Sequence, residues 1–171
     1  MAKETRFLVQ AAVIAAIYVV LTMVFAPFSF GEIQVRISEA LTILPVFTPA
    51  AVPGLFVGCL LANILGGAPL PDIIFGSLAT LIGAVGTYCL FGPIKSSNPL
   101  QRMEGKRMFL APLPPVLANT AIIPFVLRYA YGVPLPIPFM MLTVGIGEVI
   151  SCGVLGLLLF LALRKRPGIF V

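Results

Sequence analysis

The sequence contains no histidine, and only 10% of its 171 residues are charged. The HExxH motif and any Cys/His pair are therefore missing, and with them the commonest hydrolytic machinery. GxSxG is absent as well. Three cysteines, Cys59, Cys89 and Cys152, sit inside apolar runs without CxxC spacing. That argues against a disulfide framework or a structural zinc site and for small buried hydrophobes. A phosphate-binding GxxxxGK[ST] loop is also lacking, because Gly105-Lys106 has no glycine at the required earlier position. The chain carries no recognisable ATPase of its own.

The shortage of charge excludes more than motifs. With 60% hydrophobic residues and a mean hydropathy of +1.11, the chain has too little charge to cover a soluble surface. Its apolar runs are too long for globular core helices. Six spans are expected, at roughly 6–26, 38–49, 50–66, 72–91, 109–129 and 137–163. The first is longer than a signal-peptide core and is read as retained. The second and third are short and punctuated by Pro45, Pro49 and Pro53. The expected fold is one all-α integral membrane domain over residues 1–171.

Nine of the 11 basic residues fall in three places: Lys3 and Arg6; Lys95, Arg102, Lys106 and Arg107; and Arg164, Lys165 and Arg166. Positive-inside sorting explains this better than nucleic-acid binding. It places both termini and the 92–107 linker on the cytoplasmic side if helices 2 and 3 are separate short spans. Loops 27–37, 67–71 and 130–136 then face outward.

What remains is a dense polar block, residues 30–42, holding Glu32, Gln34, Arg36 and Glu39 within eight positions. The alternation over residues 32–38 suits an extended strap over the helix ends or an amphipathic loop at the headgroups. Glu148 lies inside the last span, about 16 Å from its outer end at helical rise. An ionisable group there is a functional candidate by default. Ser151 and Cys152 share its face at i+3 and i+4, and Arg36, Arg128 or Asn119 could pair with it structurally. Asn119 and Asn63 fit either a helix–helix bridge or a ligand contact. Asp72 reads first as a helix cap before Ile73-Ile74-Phe75, and Tyr129 and Tyr131 as an aromatic belt. Ala11, Ala12, Ala15 and Ala16 give the first helix a small-residue side, for packing within the bundle or for docking. Gly54 and Gly58 form a GxxxG that suits intramolecular packing.

An alanine-faced first helix in a small six-helix protein resembles the substrate-binding S components of energy-coupling-factor (ECF) vitamin transporters. The RISEALT block at 36–42 and the DIIFGSLAT block at 72–80 are similar to the QueT group, assigned to uptake of queuosine precursors. The resemblance implies a multi-pass protein of a prokaryotic cell membrane, without a cofactor of its own. Its implied partners are a transmembrane coupling subunit and two ATPase subunits, which hold ATP and Mg. Docking is implied through Ala11, Ala12, Ala15 and Ala16. The implied ligand is a 7-deazaguanine, either the 7-aminomethyl compound or queuine. Its guanine-like edge offers two adjacent N–H donors to one carboxylate, and its cationic arm suits a second. Glu39 and Glu148 are expected in these roles, with Asp72 and Glu32 in reserve. Asn119, Asn63 or Gln34 would serve the ring carbonyl, and Arg36 would orient a carboxylate. Two alternatives stand beside this reading: an S component for another vitamin, and an integral-membrane enzyme using Glu148 and Asp72. The second has no metal cluster or nucleophile–base pair to support it.

Overall fold

A computed structural model describes residues 2–26, 36–92 and 105–165. Among these residues the chain is all helical. Helix α1 spans Ala2–Val24 and is followed by a long 3₁₀ helix, Ile37–Val46. Then come α2 (Ala51–Leu65) and α3 (Leu70–Phe91). A short 3₁₀ turn, Gly105–Leu110, leads into α4 (Leu113–Tyr129). The last rod is continuous: α5 (Ile137–Glu148), a π segment (Val149–Leu155) and α6 (Gly156–Arg164).

Four stretches are long and apolar enough to cross a bilayer: Lys3–Val24, Leu70–Phe91, Met108–Tyr129 and Ile137–Arg164. The 3₁₀ helix and α2 are shorter apolar helices, in line with the sequence expectation of two short elements. Large apolar side chains cover the outside, among them Leu8, Val20, Ile82, Leu117 and Leu158. Fourteen polar side chains of the described residues, among them Arg36, Glu39, Asp72, Asn119 and Glu148, are buried inside, an arrangement suited to a hydrocarbon solvent.

Proline starts the helices locally. Pro71, Pro114 and Pro138 occupy first-turn positions, where a missing N–H costs nothing. Pro124 lies inside α4, so the Thr120 carbonyl loses its usual helical donor. Asp72 stands in the first turn of α3, but no side chain caps that helix; the capping role expected for Asp72 is not the one it takes.

Helices α1 and α2 meet backbone to backbone. A Cβ on Gly54 would lie 2.8 Å from the Ala11 carbonyl oxygen, and one on Gly58 would lie 3.1 Å from the Ala15 Cα. The GxxxG pair thus packs inside the molecule against two of the four alanines. Ala12 and Ala16 lie on the exposed side of α1. The same approach sets Tyr18, whose Cβ would be 2.8 Å from a Gly58 Cβ. Gly83 does the same for α3 and α4, where its Cβ would meet Pro115 at 2.6 Å.

The 3₁₀ helix is the central wedge, packed by α1, α2, α3, α6 and the π segment. Every residue from Ser38 to Val46 is buried. Ten residues is long for 3₁₀ geometry, so surrounding contacts must hold it. The strap expected over 32–38 is replaced at its described end: Arg36 is extended (φ −90, ψ 100), and Ile37 and Ser38 already belong to the helix. Glu32 and Gln34 lie outside the described residues. Of the three cysteines, Cys59 and Cys152 are buried, and Cys89, near the end of α3, is exposed.

Candidate functional site

The wedge carries Glu39 to the middle of the bundle, where the side chain is 1% exposed. Its Oε1 accepts hydrogen bonds from the Tyr18 hydroxyl of α1 and from Thr80 Oγ1 of α3, the latter at 3.1 Å. Its Oε2 has no hydrogen-bond partner among the described residues. Thr42 closes the local turn by donating to the Glu39 carbonyl at 2.6 Å.

Glu148 comes to the same point from the end of α5 and is 3% exposed. Cys152 Sγ donates to its Oε2 at 3.1 Å, the i+4 pairing expected from sequence. One ligand atom each from Glu39, Glu148 and Cys152 lie within 4.8 Å of one another. The Asn119 amide stands beside both carboxylates. Among the described residues its Nδ2 has no partner in hydrogen-bond geometry, nor does the buried Ser151 Oγ. The π segment begins at the residue after Glu148. Such segments widen a helix locally and often occur at functional sites.

A second polar group adjoins the first. Arg36 Nη2 pairs with Asp72 Oδ2 at 3.3 Å, both side chains being at most 5% exposed. Arg36 Nη1 donates to Asn63 Oδ1 at 3.3 Å, and Asn63 Nδ2 donates to the Asp72 carbonyl at 3.2 Å. Tyr131, in the α4–α5 connection, donates to Asp72 Oδ2 at 2.6 Å. It is thus a carboxylate partner rather than only a belt residue. Cys59 links the two groups: Thr80 Oγ1 lies 3.4 Å from its Sγ, and Arg36 Nη1 lies 4.0 Å away.

Partial burial and the neighbouring Asp72 carboxylate push the Tyr131 phenol above the ordinary tyrosine range. Its hydrogen bond to Asp72 should therefore support the fold at every pH below about 10 and fail only as pH rises through the raised value. An ultraviolet titration should show late-ionising tyrosine absorbance that Tyr131→Phe lowers by one residue. Loss of a normally titrating tyrosine instead would disprove the pairing.

The structure brings together six of the eight predicted binding residues: Glu39, Glu148, Asn119, Arg36, Asp72 and Asn63. Arg36 is paired with the Asp72 carboxylate. Arg128 does not meet Glu148; it is exposed and donates to the Val133 carbonyl at 3.2 Å. Sequence reasoning missed Tyr18, Thr80 and Cys59. A tyrosine in mid-span was a usable signal, because its hydroxyl needs a partner there.

Chemically, the arrangement is a buried set of acceptors with one amide donor beside it. Comparison with known proteins bears on its use. A family model described as "QueT transporter" matches residues 8–165. A protein of Lactococcus lactis subsp. cremoris (strain MG1363), "Queuosine precursor transporter QueT", is 36% identical over 81 residues. That stretch is 46% of this chain and 47% of the relative, so the match spans about half the length of each. No solved structure matches.

Proposed function

The chain belongs to the QueT transporter family, and from that premise we propose that it is the substrate-binding subunit of an ECF-type, ATP-driven importer for a queuosine precursor. A transporter role and several bilayer-length helices fit together as a multi-pass membrane protein. In this reading all six spans cross the membrane and both termini are cytoplasmic. ATP and Mg belong to two partner ATPase subunits, joined through a transmembrane coupling subunit.

One observation carries the substrate assignment. Glu39 and Glu148 converge in a buried place where Glu39 Oε2 and the Asn119 amide still have hydrogen-bonding capacity. Buried polar groups are normally satisfied, so a ligand rich in N–H donors with a nearby carbonyl suits them. A 7-deazaguanine is such a ligand, and the name of the Lactococcus relative points the same way. A strongly anionic vitamin suits this site poorly.

Titrating purified protein with labelled 7-aminomethyl-7-deazaguanine tests the assignment. Saturable, tight binding is expected. If it is absent while another vitamin co-purifies, the substrate is wrong.

Docking on the coupling subunit is assigned to Ala12 and Ala16, because Ala11 and Ala15 face α2. Leucine at both exposed positions should abolish ATP-driven uptake in vesicles yet leave ligand affinity within about twofold, since surface substitutions change stability little. Normal assembly and uptake in the double variant would refute the docking face.

A further inference from the structure

The separation of the two carboxylates bears on which part of the ligand they hold. On a 7-deazaguanine, the amino–imide edge and the C7 arm lie on opposite sides of a bicyclic ring. One ligand atom each from Glu39, Glu148 and Cys152 lie within 4.8 Å of one another, so the two carboxylates can reach one small group together. One carboxylate for each end of the ligand, as the sequence suggests, does not suit that spacing.

We infer that Glu39 and Glu148 together grip a single primary ammonium, the arm of the deazaguanine, and that Asn119 Nδ2 donates to the ring carbonyl beside that arm. This rests on the transport reading above and names the chemical class the site selects. An ammonium offers three N–H donors and a positive charge. Among the described residues Glu39 Oε2 is an open acceptor for it, and a Glu148 carboxylate oxygen lies within 4.8 Å of a Glu39 one. Two carboxyl groups this close in a low-dielectric interior do not both stay ionised alone, and an ammonium, with its charge and its N–H donors, is the group that suits both as anions. Asn119 gives an independent indication. It is 3% exposed and stands beside both carboxylates, and its Nδ2 makes no hydrogen bond of good geometry among the described residues. On the ring, the carbonyl is the neighbour of the C7 arm, so one edge of the ligand meets all three residues. Arg36 does not supply the missing cation, since its guanidinium is held by Asp72 and Asn63.

Competition binding on the purified full chain tests this with three probes: 7-aminomethyl-7-deazaguanine, its neutral 7-cyano analogue, and guanine. The amine should bind at least about 100-fold more tightly than the nitrile or guanine, the range of a buried charge-assisted contact. Glu148→Gln should narrow that gap at least about tenfold, chiefly by weakening the amine. Asn119→Leu should weaken the amine and the nitrile by similar factors, because both carry the carbonyl. Equal affinity for amine and nitrile in the wild-type protein overturns the inference, and that comparison needs no variant to fold. A Glu148→Gln protein that binds all three probes proportionally less also overturns it. If no probe binds, the deazaguanine reading of the site itself fails and this inference falls with it.

Discussion

Arg36→Met is expected to destabilise the protein by about 3–5 kcal/mol, the usual result of leaving one partner of a buried ion pair uncompensated. Asp72 is 0% exposed and, among the described residues, would be left with Tyr131 as its side-chain partner. For a chain of this length the apparent melting temperature should fall by about 6–20 °C. Adding Asp72→Asn should recover much of the loss, because it removes the stranded charge and keeps an oxygen for Tyr131. Thermal unfolding of the two single variants and the double in one detergent completes the cycle. A double variant no more stable than Arg36→Met would mean that the pair is not what holds this region. The loss would then come from other Arg36 contacts, Asn63 among them.

Glu39→Gln should leave the fold largely intact and weaken binding of 7-aminomethyl-7-deazaguanine by about 100-fold or more. The amide keeps an oxygen to accept from Tyr18 and Thr80, so the hydroxyls that position it stay satisfied. What it loses is the negative charge at Oε2. Glu39→Ala is a different experiment: it strands two buried hydroxyls, each costing about 1–3 kcal/mol. Comparing the two separates binding from folding. Affinity titrations at matched thermal stability are the check, and an unchanged affinity in Glu39→Gln would remove Glu39 from the site.

The apolar segments could be read from the sequence because a bilayer imposes length and hydropathy on each element separately. Glu148 with Cys152 was legible for a similar reason, since i and i+4 on one helix meet without any tertiary knowledge. The alanine and glycine patterns were visible too, but not their division, because which side of α1 faces α2 depends on the packed bundle. Asp72 was misread as a cap because a local rule applied and its real partners, Arg36 and Tyr131, are 36 and 59 residues away in the chain. Tyr18 and Thr80 were missed for the same reason: each finds Glu39 across the bundle. The 3₁₀ geometry of 37–46 had no sequence signal either, since its neighbours hold it in place.

The unequal burial of the three thiols gives this protein a built-in counter. Cys89 is exposed, while Cys59 and Cys152 are shut inside the polar centre. A maleimide should therefore modify each native chain once and each unfolded chain three times, so the mass of the adduct reports the folded fraction molecule by molecule. The same single adduct, near the end of α3, would carry a dye or spin label at one defined position without any engineered cysteine.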